Sequence, residues 1–173
     1  MKNLTKGIAA VGALAIELIR IDDRLIHGQI ATTWINNYSI EQVLIINDQI
    51  LTDKMQQSVI SMTAPVNVKV KVFGVDAFLD IYKKTSIQRR TMIILTNSID
   101  AYRLAKGGVD FKVLNVGGMR YENGRVKIAK AVSVTERERE AFEQLLHMGI
   151  DVQVQMVPRD ELHDMKEILT NTK

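Results

Sequence analysis

The sequence contains no cysteine. Disulfides, thiol nucleophiles and cysteine-ligated metals are therefore excluded. It also lacks any apolar run near the roughly 18 residues that would suggest a membrane-spanning helix. Charge of one sign is scarce: 23 Lys and Arg stand against 20 Asp and Glu, a net charge of +3. The isoelectric point near 9.1 reflects only that small surplus. No block of Lys and Arg interleaved with aromatics appears, so nucleic acid is not an expected partner. Histidine is rare, with three in the chain. What remains is ordinary for a globular protein: 173 residues, 46% apolar and 25% charged. That length suits one domain with a core of useful size.

The first residues read differently from the rest. "MKNLTKGIAAVGALAIE" carries two lysines, a short apolar stretch and Ala13-Leu14-Ala15. It weakly imitates a secretory signal, but the apolar stretch is short and a strand follows at once. Residues 1–16 are read as an N-terminal extension, a leader or upstream remnant, and 17–173 as a single domain. Gly7 to Gly12 also mimics a phosphate loop. No strand precedes it and no Gly-Lys-Ser/Thr follows, so that reading fails.

From residue 17 the pattern alternates between strand and helix. Strands are expected at 17–21, 42–48, 66–74, 91–97, 111–118 and 151–158. Helices are expected at 28–38, 52–62 (capped by Thr52 or Asp53), 75–83, 99–106, 135–147 and 159–170. Asn123-Gly124 within 121–134 is a hairpin signal. The buried strands read as continuous Val/Ile/Leu runs, as parallel strands covered on both faces should. The expected fold is α/β: an open, mostly parallel, doubly wound sheet with helices on both faces and a β-hairpin near 121–134.

Ligands in such sheets bind outside the carboxyl ends of the strands. Asp22-Asp23, Asn47-Asp48, Thr96-Asn97 and Gly117-Gly118 all fall on that rim. So does His27, in "IRIDDRLIHGQIATTW" (19–34), at a strand-to-helix turn. A helix N-terminus favours anions and disfavours imidazolium, and a neutral ring nitrogen is a nucleophile near neutral pH. Arg24 adds a planar, permanently charged fork suited to phosphate oxygens. Gly28 lets the backbone approach an incoming group closely. Asp22 or Asp23 could accept a hydrogen bond from the other ring nitrogen and fix its tautomer, or one of them could pair with Arg24. These parts fit phosphoryl transfer through a phosphohistidine. They equally fit a histidine that caps a helix.

"RIDDRLIHGQIATTW" resembles the active-site segment of enzyme IIB subunits of the mannose/fructose/sorbose family of the bacterial phosphoenolpyruvate-dependent sugar phosphotransferase system. "VLIINDQI" resembles that family's second-strand segment. The stretch 114–146, from "LNVGGMRYENGRVKIAKAVSV" onward, resembles its Gly-Gly-Met loop, hairpin and helix. The likeness runs from about residue 17 to 170. It implies that His27 carries the phosphoryl group, on Nδ1. The donor would be a phosphohistidine of a IIA domain. The acceptor would be a sugar entering through membrane subunits IIC and IID. Arg24 matches the arginine near the phosphoryl group, and Asp22, Asp23, Gly28 and Gln29 match the rest of the active loop. The resemblance implies no metal and no organic cofactor. It implies a cytoplasmic protein associated peripherally with its transporter, and it admits a homodimer. It leaves the sugar open.

Other residues carry weaker expectations. Asn47-Asp48 line the site or cap the strand end. Gly117-Gly118 give backbone room beside the active loop, with Met119 as a contact surface. His147 closes a helix, His163 lies in the terminal helix, and Trp34 is core or groove wall. Three rival functions share parts of this pattern. A histidine phosphatase needs Arg adjacent to the nucleophilic His, and Arg24 is not. A response-regulator receiver needs an Asp ending the third strand, where Val72-Phe73-Gly74 stands. A non-catalytic regulatory homologue is opposed by the intact Asp-Asp-Arg-x-x-His-Gly-Gln loop.

Overall fold

The computed structural model describes residues 15–122 and 124–172. The leader reading of 1–14 and Asn123 of the hairpin signal lie outside them. Strand β1 (Ile16–Asp22) begins one residue inside the segment assigned to the extension. Then follow β2 (Gln42–Ile46), β3 (Lys69–Phe73), β4 (Thr91–Leu95) and β5 (Val113–Gly118). β6 (Val126–Ala129) and β7 (Val132–Val134) form an antiparallel hairpin. β8 (Asp151–Val154) and the short β9 (His163–Asp164) complete the set. The main sheet has the order β3-β2-β4-β1-β5-β8-β9. All its pairs are parallel except β8 with β9. β4 and β1 sit at its centre, so the loop after β1 emerges from the middle of the rim.

Each strand sends alternate residues to opposite faces, and the two faces bury different cores. Ile19 and Ile21 join Leu44, Ile93, Leu114 and Phe142 on one face. That face packs against α3 (Val75–Lys84), α4 (Ser98–Lys106), α5 (Glu136–His147) and α6 (Met165–Asn171), each of which contributes buried side chains. Leu18, Val43, Ile45, Met92 and Ile94 form the other. This second core is closed by α2 (Lys54–Thr63) and by a helix over residues 28–37. That helix contains a π-helical stretch, Ile30–Trp34, before its last turn α1 (Ile35–Asn37). The Ile35 N–H reaches back to the Ile30 carbonyl, one residue further than in an α-helix. Such bulges recur at functional sites.

Helix starts follow local chemistry. Asp53 accepts from the Gln56 N–H and begins α2. Asn97 caps α4 through the Asp100 N–H. Thr135 and Glu138 form a reciprocal capping box on α5.

Three expectations need correction. The hairpin turns at Lys130-Ala131, not at Asn123-Gly124. Gly124 instead supplies a left-handed residue, φ +86°, to the loop before β6. The last helix starts at Met165, not 159. Residues 157–160 form a turn closed by the Asp160 N–H on the Val157 carbonyl, and the chain returns as β9. Pro158 biases Val157 away from helical geometry, and edge pairing to β8 takes the next residues. His163 therefore lies in β9, outside the terminal helix. Met119 is fully buried in the core and offers no contact surface.

Candidate phosphoryl-transfer site

Arg20 and Asp22 are two apart on β1, so their side chains leave the same face of the sheet. It is the face of the second core, but here the apolar strands give way to polar residues. Both side chains are wholly buried. A buried arginine and carboxylate need each other and further hydrogen bonds, and the site supplies them. Arg20 Nη1 donates to Asn115 Oδ1 and, at 2.9 Å, to the Gln155 carbonyl. Arg20 Nη2 donates at 3.0 Å to Asp22 Oδ2 and at 3.0 Å to the Met156 carbonyl. The guanidinium carbon stands 4.6 Å over the Trp34 ring. The Trp34 indole N–H is itself bonded to the Met156 carbonyl at 3.0 Å. Trp34 is thus a buried wall of this polar chamber.

Asp22 accepts on both oxygens. Oδ2 takes Arg20 Nη2 and lies 3.1 Å from His27 Nε2. Oδ1 takes the Arg24 N–H at 3.2 Å and Arg24 Nε at 3.3 Å. Burial is the largest influence on Asp22 and works to raise its pKa. The His27 hydrogen bond and the charges of Arg20, His27 and Arg24 together outweigh it and hold Asp22 below the ordinary carboxylate range. Burial dominates for Arg20 and lowers its pKa from the ordinary guanidinium value, against the pull of Asp22. Asp22 is thus a carboxylate with one oxygen committed to the His27 ring. Neutral His27 donates from Nε2 and presents Nδ1 as a lone pair.

The turn that brings His27 there is tight. The Leu25 N–H bonds the Asp22 carbonyl at 3.0 Å. Leu25 takes φ +60°, a left-handed conformation unusual for a leucine. Its side chain is anchored in the second core. The His27 carbonyl then accepts the Ala31 N–H at 2.9 Å, starting the helix. The N–H groups of residues 28–30 therefore have no intrahelical acceptor. His27 is partly exposed (18%), Arg24 more so (43%), and Gly28 and Gln29 are exposed.

Asp23 turns away from the ring. It accepts the Arg120 N–H at 2.8 Å and Arg120 Nε at 3.2 Å, and lies 3.7 Å from Arg125. Arg125 in turn forks onto buried Glu138, at 3.0 and 2.6 Å. These residues border a cleft of about 760 Å³ along the rim. Asn47, Asp48, Thr96 and Asn97 line its other side. Asn47 also holds its own turn: Oδ1 accepts the Gln49 and Ile50 N–H groups, and Nδ2 donates to Thr96. Asp48 caps the start of α3 through the Val75 N–H and pairs with Arg103. Both residues thus hold strand-end and helix-start backbone, and the cleft they border is lined by Asp23 but not by His27 or Arg24.

Gly117 makes room for a side chain behind the loop, whereas Gly118 is not needed for space. A Cβ on Gly117 would lie 1.6 Å from Arg20 Nη2, and one on Gly118 would lie 3.7 Å from Asp22 Oδ1. Gly28 is the reverse case. A Cβ there meets nothing within 4 Å, and its φ is not left-handed. The structure brings Asp22, at the end of β1, into contact with Arg24 and His27, and puts Gly28 and Gln29 on the first turn of the helix that follows. Sequence reasoning missed Arg20, Asn115 and the Leu25 conformation. The available signal was an arginine inside an otherwise apolar strand, two residues before the aspartate.

Among the described residues no group of three His, Asp or Glu side chains is arranged to hold a metal. None of their helices is long and apolar enough to cross a membrane.

Comparison with known proteins shows the family and the fold. The family model described as "PTS system sorbose subfamily IIB component" matches residues 16–173. The fructose-specific EIIB component of the phosphotransferase system (PTS) of Bacillus subtilis is 39% identical over 157 residues, 90% of this chain and 96% of that protein. The mannose-specific EIIAB component of Escherichia coli K12 is 34% identical over 158 residues, 91% of this chain but 49% of that longer protein. The crystal structure of the IIBSor domain of the sorbose permease from Klebsiella pneumoniae superposes with a TM-score of 0.84 at 28% identity. It covers 92% of this chain and 99% of that one. The manxB structure from Thermoanaerobacter tengcongensis gives 0.82 at 34% identity, covering 91% and 96%. The chain belongs to the sorbose-subfamily IIB components of the phosphoenolpyruvate-dependent sugar phosphotransferase system, and so to a family of phosphotransferase components that serve sugar uptake.

Proposed function

We propose that this chain is a phosphocarrier that takes a phosphoryl group on His27 Nδ1 from a phosphorylated IIA domain. It then passes the group to a sugar held by the membrane subunits IIC and IID. One observation carries the reading: the 3.1 Å contact of His27 Nε2 with a buried, ionised Asp22 leaves Nδ1 as the free nucleophile. In the first step the Nδ1 lone pair attacks phosphorus and the donor N–P bond breaks. The donor imidazole keeps the bonding electron pair. In the second step a sugar hydroxyl attacks, the His27 N–P bond breaks, and the hydroxyl proton is lost to solvent or a base of the sugar site.

Arg24 and the open first-turn N–H groups provide positive charge where three phosphoryl oxygens gather. Asp22 stabilises the positive charge that develops on the ring as Nδ1 forms its bond. Gly28, needed neither for conformation nor for space in the free chain, admits the incoming donor. Gln29 completes the exposed rim of the loop. Asp23 supports the loop from outside through Arg120. The protein-to-protein step requires no cofactor. A IIA domain is the natural donor because a relative carries the name EIIAB. A cytoplasmic location at the transporter's inner face fits this role, and a homodimer is compatible with it.

The test is reconstitution with enzyme I, the histidine phosphocarrier protein, a matching IIA and labelled phosphoenolpyruvate. The expected product is an acid-labile, base-stable label that His27→Ala abolishes without loss of fold. A label that survives in His27→Ala overturns the assignment.

A further inference from the structure

The proposed carrier chemistry needs one ring nitrogen of His27 to react and the other to stay masked. Asp22 does the masking, so the question becomes what fixes Asp22. A lone carboxylate buried in a sheet has two ways to escape its desolvation: it can swing toward water or take up a proton. Neither happens here, and the reason lies behind it. Arg20 reaches Asp22 Oδ2 with Nη2, the same oxygen that meets His27.

The guanidinium has little freedom. Asn115 and the Gln155 carbonyl hold Nη1, and the Met156 carbonyl holds Nη2. Its Nε is buried and has no partner among the described residues, so the fork is aimed entirely by its two terminal nitrogens. Trp34 covers one face. Gly117 leaves the space the fork occupies, since a Cβ there would overlap it. Arg20 lies across from Asn115 in the β1–β5 register, so two central strands set its place.

We propose, resting on the phosphocarrier reading above, that Arg20 is a positioning residue that selects the reacting nitrogen of His27. Clamped by Asn115, Trp34 and the gap at Gly117, it locks Asp22 Oδ2 against Nε2 and leaves Nδ1 as the sole acceptor. It touches neither the phosphoryl group nor the ring. A lysine cannot replace it, because one ammonium cannot span Asn115, two carbonyls and Asp22 at once.

The test compares the wild-type chain with Arg20→Lys, Gly117→Ala and Asn115→Ala, each of which disturbs Arg20 or its clamp and leaves Asp22 in place. Each is nitrogen-15 labelled, checked for fold by circular dichroism and urea unfolding, and phosphorylated through IIA. The phosphohistidine isomer is then read by phosphorus–nitrogen NMR coupling. The wild type should give the Nδ1 isomer alone. Folded variants should gain the Nε2 isomer, and their rate of acceptance should fall about 10- to 100-fold, as when the partner that orients a histidine is lost. A merely structural role would lower the amount of folded protein without changing the isomer.

Folded variants that stay wholly on Nδ1 at rates within about twofold of wild type would overturn the inference. So would failure of all three variants to fold, which would make Arg20 structural. If the wild type itself takes no label on His27, it is the phosphocarrier reading that falls.

Discussion

His27 Nε2 and Asp22 Oδ2 lie 3.1 Å apart, and that contact engages one nitrogen of a ring whose side chain is 18% exposed. In Asp22→Asn the amide can present N–H as readily as C=O to the ring, so the donor role of Nε2 is no longer imposed. Acceptance of a phosphoryl group should fall between about 100-fold and 10⁴-fold, the upper end being the cost of a wrong tautomer in a comparable His–Asp pair. The same change strands Arg20 as a buried cation without its partner, at about 3–5 kcal/mol. Transfer kinetics and urea unfolding on the same variant check both numbers.

Stability should depend on pH through Asp22 in a defined direction. Its folded pKa lies below the ordinary value, the His27 hydrogen bond and neighbouring charges outweighing burial. The unfolded chain therefore takes up this proton first as pH falls. The stabilising contribution is complete above the unfolded value, about 3.9, and is lost as pH falls through the lower folded value. Asp100 runs the other way, because burial raises its pKa; its contribution is present at low pH and lost as pH rises. Urea midpoints of wild type and Asp22→Asn should be separated at neutral pH and converge at the acid end. A constant gap would contradict the account of Asp22.

Arg24 is 43% exposed and bonds Asp22 at 3.3 Å. Its removal should cost little stability. Arg24→Lys keeps the charge and loses the planar fork, and should slow phosphoryl acceptance about tenfold with an unchanged melting temperature. Wild-type transfer rates in this variant would remove Arg24 from the phosphoryl site.

Gly28 separates folding from function. Its Cβ position is empty and its backbone is ordinary. Gly28→Ala should leave stability unchanged or raise it by up to about 1 kcal/mol, because alanine favours the helix. Transfer from phospho-IIA should nevertheless fall. Thermal melts and transfer rates measured together decide this, and an unimpaired rate would show that nothing needs to come that close.

Leu25 holds the active turn by balancing backbone strain against burial. Leu25→Gly relieves a left-handed φ worth about 1 kcal/mol and forfeits a buried side chain worth about 1.5–3 kcal/mol. The net effect should be a modest loss of stability, by urea unfolding, with a larger loss of phosphoryl acceptance because His27 is no longer fixed.

The rim was legible in the sequence because polar residues end apolar runs there, and the run-and-break pattern survives without any knowledge of contacts. The helix starts at Asp53 and Thr135 were legible for the same local reason. Arg20 was not. Within "ELIRID" an arginine looks like a solvent-facing strand position, and only the pairing of β1 with β5 puts Asn115 and Gly117 against it. The reason for Gly117 was hidden with it. The turn at Lys130-Ala131 was obscured by the stronger local signal of Asn123-Gly124, which tertiary pairing bypassed. The stretch 159–162 has helical composition, but pairing of His163 with β8 claims the chain first.

The most direct test of the account is the site of phosphorylation on the wild-type protein. After transfer from phospho-IIA, phosphorus–nitrogen coupling in the labelled chain should place the phosphoryl group on Nδ1 of His27, and nowhere else. Phosphorus on Nε2, the atom held by Asp22, or on any other residue would contradict it.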